Sequence, residues 1–518
     1  MRLAYRYVTL VTVVILFIGS VIYWKRKSSE ANDVIDWGPD ALFYHSASGG
    51  GITNQCLHGS DLDQKRENRF KLRRKYNLNV CLSDVVPLNR PVPDSRPKGC
   101  QDIHYQVDEL PSASIVITFH NEWPSLLFRT VYSVIQRTPK EHYSNGIVKL
   151  IRLKTRQGLI RSRLEGIKRV TGEVVVFLDS HMEVNNQWLE PLLAEIKKDD
   201  HVVAEGNLDY INTETLRYEF IPGYKIRYGF DWRLRVFGTL FRNDQLDGKK
   251  ETDTLPGVVL VGSGFAISVK YLKRLGTYDS GMKIYGGENL ELSWRIWLCG
   301  GRIVQVPCSQ IGHIERDQPY TFPEGRQNIE MHNYKRAVEI WLDDYKKYVY
   351  NTYPKMNEIE IEDIYNRLQL KEKLKCKPFS WFLDNIWPEL FAYDRKLRKL
   401  DTKMCLDNEN HVLSEPKFLE TRRCSDSDSQ IFALTTKQQL RTTLHCVTVK
   451  KEDRDYVPWL QRCLEIDDKW SMIKDVQLKH QGTGLCLELL QNGLVMNSCN
   501  SNNNYQIWSF QHKSSTTD

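Results

Sequence analysis

Apolar runs, each followed by a short polar turn, mark the first part of the chain. Residues 174–178 are apolar throughout, and residues 114–119 form a second, mostly apolar run. Runs of this length predict strands that are buried on both faces. Leu127, Val131 and Val134 are spaced three and four residues apart, which predicts a helix after the first strand. The order of strand, polar turn and helix indicates an α/β domain.

A different pattern begins near residue 400, where three units of about forty residues follow one another. Each unit opens with a cysteine, contains a second cysteine and closes with an aromatic residue. The opening residues are Cys405, Cys446 and Cys486, the second cysteines are Cys424, Cys463 and Cys499, and the aromatic residues are Phe432, Trp470 and Trp508. Three matched spacings predict a three-fold all-β module with one short disulfide in each repeat.

Residues 7–24 carry no charge and are apolar or aromatic apart from a few Thr, Ser and Gly residues. Eighteen residues just suffice to span a bilayer as a helix, so we predict a retained anchor after a cytoplasmic tail at residues 1–6. Cations flank both ends, which leaves the orientation ambiguous. Because the paired cysteines indicate an oxidising compartment, we expect the bulk of the chain on the lumenal side.

The composition indicates a globular protein of several domains. A chain of 518 residues is too long for one core, and 41% hydrophobic and 26% charged residues are globular values. The net charge of +7 is small, and the basic run at 65–75 suits a solvated stem better than a nucleic-acid site because no nucleic-acid motif accompanies it. We expect a stem at 25–99, an α/β domain at 100–345, a linker and C-terminal extension at 346–399, and the repeat module at 400–512.

The polar residues after the apolar run at 174–178 are candidate metal ligands. Asp179 and His181 lie two residues apart, so on an extended chain their side chains point to the same side. They follow the carboxyl end of a core strand, where open α/β sheets bind ligands. A carboxylate with an imidazole suits manganese better than calcium, and His313 is a candidate third ligand. The alternative is a solvated turn, because Asp-x-His is a short and common pattern.

Three further stretches each allow two interpretations. Arg156 and Arg161 begin a helix, where they are placed either for a diphosphate or on a solvated face. The aromatic residues of 223–237 either belong to the core or line a groove for a sugar or an extended peptide. Gly286 and Gly287 predict a tight turn into a helix, at which Glu288 either accepts a hydrogen bond from a hydroxyl or caps the helix.

Seven motifs follow one another in a fixed order between residues 118 and 323. They are Thr-Phe-His-Asn-Glu (118–122), Gly-Leu-Ile-Arg-Ser-Arg (158–163), Phe-Leu-Asp-Ser-His (177–181), Trp-Leu-Glu-Pro-Leu-Leu (188–193), Gly-Gly-Glu-Asn-Leu-Glu (286–291), Pro-Cys-Ser-x-x-Gly-His (307–313) and Pro-Tyr-Thr-Phe-Pro (319–323). With the three-repeat tail and the N-terminal anchor, they resemble the polypeptide N-acetylgalactosaminyltransferases, which start mucin-type O-glycosylation. The resemblance extends from about Cys100 to His512.

The resemblance implies an α/β GT-A catalytic domain with a Rossmann-like nucleotide-sugar fold, followed by an all-β ricin B-type trefoil lectin domain and preceded by a single transmembrane helix. It implies transfer of N-acetylgalactosamine from UDP-GalNAc to Ser or Thr hydroxyls of peptides or glycopeptides, with retention of the anomeric configuration. The implied cofactor is Mn2+. The implied location is the Golgi membrane, in a single-pass type II orientation with the catalytic domain in the lumen. No nucleic-acid partner is implied.

The resemblance also implies a role for individual residues. The metal ligands would be Asp179, His181 and His313, the catalytic residues Glu288 and Asn289, the donor-binding residues Thr118, Arg156, Asp179, Ser180, Gly262, Arg316 and Tyr320, and the acceptor-binding residues Phe230 and Trp232. The implied disulfides are Cys100–Cys308, Cys299–Cys376, Cys405–Cys424, Cys446–Cys463 and Cys486–Cys499. Asp407, in the first repeat, is the implied lectin sugar contact. Cys56 and Cys81 have no partners of the family type.

The chain departs from the family pattern between Pro139 and Arg156. Family members carry there a second strand that ends in an acidic turn for the nucleotide, whereas Ile147–Leu153 supplies only one strand. Two hypotheses follow. The first is an active transferase, supported by the complete metal-ligand set. The second is a catalytically silent lumenal protein that binds glycopeptides.

Overall fold

The computed structural model describes residues 12–18, 71–139, 148–220, 225–390, 395–399, 402–408, 417–425, 427–435, 438–442, 445–452, 455–463, 468–491 and 493–512. The chain divides into two compact units. The first unit comprises Met1–Tyr228, Gln245–Trp341 and Ile359–Cys376, and the second comprises Gly229–Asp244, Leu342–Glu358 and Lys377–Asp518.

The part of the chain up to residue 385 contains both strands and helices. The strands are β1 (Thr12–Ile18), β2 (Ala113–Phe119), β3 (Val148–Leu153), β4 (Val174–Asp179), β5 (Met182–Val184), β6 (Val202–Ile211), β7 (Tyr218–Glu219), β8 (Ile226–Phe230), β9 (Val236–Leu240), β10 (Leu255–Pro256), β11 (Phe265–Ser268) and β12 (Arg302–His313). The helices are α1 (Val80–Val85), α2 (Lys98–Gln101), α3 (Pro124–Arg137), α4 (Gly158–Ile167), α5 (Glu190–Lys198), α6 (Asn243–Leu246), α7 (Val269–Arg274), α8 (Glu288–Leu298), α9 (Arg326–Trp341), α10 (Lys346–Thr352), α11 (Tyr365–Lys373) and α12 (Phe379–Asn385).

A central sheet with the strand order β10-β12-β6-β11-β4-β2-β1-β3 organises the first unit. β2 runs parallel to β4, whereas β11 is antiparallel to both β4 and β6. Every residue of β2 is buried, and β4 is buried up to Leu178. The apolar runs therefore became strands covered on both faces, as predicted, because an α/β sheet is enclosed by helices. The α/β fold of the first unit is confirmed.

A strand from the N-terminal segment, β1, lies near the edge of the sheet. Only β3 forms between residues 148 and 156, which confirms that this stretch supplies a single strand. β1 lies between β2 and β3 and pairs in parallel with both. The prediction of one membrane helix over residues 7–24 is thus not confirmed, because its described middle is a strand. In the described part of the chain, no helix combines the length and apolarity needed to cross a membrane.

The described residues 71–99, which we predicted as part of the stem, pack on the first unit. Tyr76, Leu78 and Leu82 are buried in one apolar cluster with Leu126 of α3 and Ile211 of β6. The predicted boundary at residue 100 is therefore too late, since packing against the sheet begins by residue 76. The segment Ile359–Cys376 also joins this unit, although we predicted it within the linker at 346–399.

The second unit contains an all-β module whose strands follow the three-repeat pattern. They are β13 (Arg395–Lys399), β14 (Met404–Asp407), β15 (Lys417–Phe418), β16 (Glu420–Arg423), β17 (Ala433–Leu434), β18 (Leu440–Thr442), β19 (His445–Glu452), β20 (Asp455–Arg462), β21 (Trp470–Ile473), β22 (Gln477–His480), β23 (Leu485–Leu490), β24 (Gly493–Ser498) and β25 (Trp508–His512). Phe432, Trp470 and Trp508, one from each repeat, are fully buried in its core. Because β13 pairs with β25, the module begins before the predicted residue 400.

Five disulfides connect the residues that the resemblance implied: Cys100–Cys308, Cys299–Cys376, Cys405–Cys424, Cys446–Cys463 and Cys486–Cys499. Cys81 is disulfide-bonded as well. The first two bonds lie within the first unit, and each of the other three closes one repeat of the all-β module. Such a framework is typical of proteins that fold in an oxidising compartment.

Candidate active site

Two strand ends bring the three predicted metal ligands together. Asp179 is the last residue of β4, and His181 follows in the turn before β5. β12 ends at His313 and pairs antiparallel with β5, which places His313 opposite Met182. One ligand atom from each of Asp179, His181 and His313 lies within 4.8 Å of the others. The sheet topology thus assembles a candidate metal site from distant parts of the chain.

The surroundings of His313 fit a divalent ion. His313 Nε2 lies 3.7 Å from Asp179 Oδ2, and this buried nitrogen has no hydrogen-bond partner among the residues described. Burial, and then the neighbouring His181, lower the pKa of His313 to about 4, so its imidazole is neutral. Metal ligation requires neutral imidazole. A carboxylate with two imidazoles, one of them with an unpaired nitrogen, fits manganese.

A buried carboxylate, to which our motif reasoning gave no role, lies behind the metal site. Glu122 accepts hydrogen bonds from Ser180 Oγ and His181 Nδ1, both at 2.9 Å, and from Arg316 Nη2 at 2.5 Å. Although burial acts to raise the pKa of Glu122, Arg316 and His181 lower it overall, so the carboxylate stays ionised. With Nδ1 of His181 bonded to Glu122, Nε2 remains for a metal. Glu122 lies just after the carboxyl end of β2, where open α/β sheets bind ligands, and this position could have identified it as a candidate.

The predicted nucleotide contacts fall into two groups near the same strand ends. Thr118 lies opposite Asp179 in the β2–β4 ladder, and its buried hydroxyl has no partner in the described residues. Arg156 Nη1 donates to the carbonyl oxygen of Thr321 at 2.7 Å, and its guanidinium lies 5.2 Å from the centroid of the Tyr320 ring. Arg156 and Tyr320, distant in sequence, are therefore neighbours.

The Gly-Gly-Glu-Asn motif forms the tight turn that we predicted. Gly286 and Gly287 have φ values of +98° and +82°, a backbone region that glycine adopts without strain. The turn leads into α8, and the backbone N–H of Gly286 donates to Glu288 Oε2 at 2.9 Å. Asn333 of α9 supports the turn, because its side-chain amide donates to the carbonyl oxygens of Tyr285 and Gly286 at 3.2 and 2.9 Å.

An arginine connects the glycine turn to the metal site. Arg163 of α4 has a fully buried side chain, and its guanidinium lies 3.5 Å from Asp179 Oδ1. Burial raises the pKa of Glu288, while the charge of Arg163 acts in the opposite direction. Arg163 therefore lies close enough to both carboxylates to stabilise them. The motif at 158–163 contained this residue, but its alternation of arginines did not reveal which one would face inward.

The chain is similar to known glycosyltransferases along most of its length. Residues 140–276 match Glycosyl transferase family 2, and residues 394–508 match the Ricin-type beta-trefoil lectin domain. Polypeptide N-acetylgalactosaminyltransferase 13 of Homo sapiens is 37% identical over 437 residues, which cover 78% of this chain and 77% of that protein. The chain belongs to the polypeptide N-acetylgalactosaminyltransferase family. Family member 10 of Rattus norvegicus is 32% identical over 491 residues, covering 86% of this chain and 81% of the relative.

A solved structure from this transferase family confirms the fold. The crystal structure of GalNAc-T7 with UDP, GalNAc and Mn2+ matches with a TM-score of 0.59 and 29% identity, covering 88% of this chain and 91% of that chain. This family member therefore has a GT-A catalytic domain and a β-trefoil domain. Manganese as the cofactor agrees with the ligand set formed by Asp179, His181 and His313.

The two predicted acceptor contacts belong to the second unit of this transferase family member. Phe230 has no exposed surface, and its ring packs against Phe382 at a centroid distance of 6.1 Å. Trp387 Nε1 donates to the carbonyl oxygen of Phe230 at 3.0 Å. The Phe230 side chain therefore packs in the core, and its role at the acceptor wall stays a prediction. Trp232 is partly exposed and packs against Tyr348 at 4.9 Å, so an acceptor role for it remains a prediction.

The predicted lectin contact in the first repeat is buried. Asp407 is 3% exposed, and its Oδ2 accepts a hydrogen bond from Gln430 Nε2 at 2.9 Å. In the third repeat, Glu488 takes the corresponding position and accepts hydrogen bonds from Asn503 and Gln506 at 3.0 and 2.9 Å. These carboxylates stabilise the repeat itself, so sugar binding by Asp407 remains a prediction.

Proposed function

We propose that this protein transfers N-acetylgalactosamine from UDP-GalNAc to Ser or Thr hydroxyls of proteins, with retention of configuration. One observation carries the proposal. Arg163 lies 3.5 Å from Asp179, one of the three clustered metal ligands, and also interacts electrostatically with Glu288 at the glycine turn, so the two motifs belong to one site. The names of the relatives and the UDP, GalNAc and Mn2+ bound to GalNAc-T7 support the same reaction.

The residues of the proposed site have different roles in breaking the sugar–diphosphate bond. Asp179, His181 and His313 would hold manganese, which supplies positive charge to the departing diphosphate. Arg156 and Arg316 add fixed positive charge, as preorganised groups that need not reorganise during the reaction. Thr118, Ser180, Gly262 and Tyr320 complete the proposed donor contacts.

Glu288 and Asn289 are proposed to orient the sugar and the acceptor hydroxyl. Retaining glycosidases use one carboxylate as nucleophile and another as acid. Here Asp179 would serve as a metal ligand, which leaves Glu288 as the one remaining carboxylate of the proposed site. We therefore favour attack from the same face as the leaving group, with Glu288 accepting hydrogen bonds rather than forming a covalent intermediate. The acceptor is a Ser- or Thr-containing peptide or glycopeptide, with Trp232 as a proposed contact.

The alternative of a silent glycopeptide-binding protein is not favoured. That alternative was based on the missing acidic turn. However, the three metal ligands lie together, Arg156 bonds to Thr321, and the glycine turn bonds to Glu288.

We propose the Golgi lumen as the site of action, with attachment to the Golgi membrane in a type II orientation. The disulfides support a lumenal location. We propose residues 7–24 as the anchor of a membrane-attached form in which β1 (Thr12–Ile18) has left the sheet, because the same backbone groups cannot serve the sheet and the membrane at one time.

The proposed reaction is tested with the full chain, UDP-GalNAc labelled in the sugar, Mn2+ and a mucin peptide, using a peptide with Ala in place of Ser and Thr as acceptor control. We expect transfer that His181→Ala reduces by at least about a hundredfold, a loss typical of a removed metal contact or its support. His201→Ala removes an exposed histidine from a second Asp-x-His pattern and should transfer at the parental rate. Absence of transfer by the parent chain, or equal rates in both variants, would contradict the proposal.

A further inference from the structure

A carboxyl group is buried in the central sheet behind the turn at 261–264. Glu205 lies in the middle of β6, has no exposed surface, and has Phe265 of β11 and Gln305 of β12 as its neighbours in the sheet. Burial raises the pKa of Glu205 to about 8, and the Val261 N–H and the Gln305 amide only partly oppose this. Within the described residues, no charged side chain contributes to this shift, so the carboxyl is neutral at neutral pH.

Glu205 and Gln305 form a polar pair that holds the turn. The backbone N–H of Val261 donates to Glu205 Oε1 at 2.8 Å, and the Gln305 side-chain amide contacts Glu205 Oε2. Gln305 Oε1 is buried and has no hydrogen-bond partner in the described part of the chain. Because the two ends of an amide are assigned from the bonds they make, rotating the Gln305 amide lets its oxygen accept from the Glu205 O–H.

The turn at 261–264 lies between the Glu205–Gln305 pair and Asn289, which faces the donor sugar in the proposed function. Gly262 has a φ of +115°, a value that ties the turn to glycine. Asn289 contacts the turn from α8, where its Nδ2 donates to the carbonyl oxygen of Leu260 at 3.1 Å. A shift of Val261 would therefore displace both Gly262 and the Asn289 amide.

We propose that Glu205 is a positioning residue that, as a neutral carboxylic acid paired with Gln305, holds the turn at 261–264 in the shape that receives the donor sugar. The inference rests on the proposed function, because the donor role of the turn comes from it. Ionised Glu205 would be a buried charge without a cationic partner, which the site relieves only by moving the turn or admitting water.

The test measures binding of UDP-GalNAc and of UDP to the full chain with Mn2+ by calorimetry at pH 7 and pH 9. If only the neutral form holds the turn, the apparent Kd for UDP-GalNAc rises about tenfold between these pH values, as the neutral fraction falls. UDP lacks the sugar, so its Kd should change much less. Glu205→Gln keeps the shape but cannot ionise, and it should reduce the tenfold change for UDP-GalNAc to less than about twofold.

A swap provides the matched control. Gln305→Glu places two carboxyl groups side by side and should weaken UDP-GalNAc binding at both pH values. The double variant, Glu205→Gln with Gln305→Glu, restores one acid and one amide. It should recover both the binding and its pH dependence. An unchanged pH profile in Glu205→Gln, or an equal loss for UDP, would overturn the positioning role while leaving the transferase proposal intact. Failure of the parent chain to bind UDP-GalNAc at either pH would overturn both.

Discussion

Two of the Asp-x-His patterns in this chain, at 179–181 and 199–201, show that the pattern alone does not identify a metal site. Asp199, Asp200 and His201 also place ligand atoms within 4.8 Å of one another. However, the His201 side chain is 39% exposed, and Arg274 Nη1 donates to its Nε2 at 3.1 Å. At Asp179 the third ligand comes from another strand, and its Nε2 is buried without a partner in the described chain. Long-range pairing, not local spacing, separates the two sites.

At the residue scale, we predict that Glu122→Gln weakens manganese binding by about tenfold to a hundredfold, the usual cost of losing a carboxylate that orients a histidine ligand. An amide presents only one acceptor oxygen, whereas Glu122 serves Ser180, His181 and Arg316. Titration with Mn2+ followed by electron paramagnetic resonance measures the affinity without any turnover.

Glu183→Gln is the matched control for this prediction. Glu183 is also a buried carboxylate paired with an arginine, Arg90, through two hydrogen bonds. Its removal should lower the melting temperature but leave manganese affinity unchanged, because among the described residues its carboxylate bonds to Arg90 and not to a metal ligand. If both variants bind manganese equally well, Glu122 does not orient His181.

At the element scale, the sheet edge depends on a strand that is remote in sequence. β1 is separated from β2 by more than ninety residues, yet six residue pairs join them in parallel. Without β1, the facing edges of β2 and β3 lose their backbone partners, and each unpaired buried group costs about 1–3 kcal/mol. A local reading of residues 7–24 could detect only their apolarity, which suits a membrane helix and a buried strand equally well.

We therefore predict that deletion of residues 1–24 lowers the urea concentration at which the first unit unfolds, whereas deletion of residues 1–11 does not. The longer deletion removes β1 and the shorter one leaves it in place. The measurement is equilibrium unfolding followed by tryptophan fluorescence. Equal midpoints for the two truncations would show that the sheet does not need β1 and that the segment is available to the membrane.

At the scale of the whole molecule, each unit has its own core and its own disulfides. The β-trefoil core is built from Leu397, Phe432, Trp470 and Trp508 with their neighbours, whereas the core of the first unit centres on β2, β4 and β6. Two separate cores imply that a lesion in one unit does not have to disturb the metal site in the other.

We predict that changing Cys486 and Cys499 to serine lowers the stability of the trefoil by about 2–5 kcal/mol, the usual cost of losing a native disulfide. Manganese affinity should stay at the parental value. The same change at Cys100 and Cys308 should weaken manganese binding, since Cys308 lies in β12, the strand that ends at His313. Calorimetric unfolding and manganese titration together check both expectations, and a loss of affinity in the trefoil variant would contradict the independence of the units.

Residue pattern alone was enough to predict the family and most of the elements, although not the strand β1. Buried strands and the three-fold repeat with its short disulfides follow from residue type and spacing, because apolar periodicity and repeat length are local properties. The pairs Cys100–Cys308 and Cys299–Cys376 came from the resemblance to the family. Only the tertiary structure decided which candidates meet. It brought His313 to Asp179 through the pairing of β12 with β5, turned Arg163 inward, buried Phe230 and placed Glu122 and Glu205 behind the site. These outcomes depend on register and packing between distant strands, where burial sets the charge and the hydrogen-bond partners of each side chain.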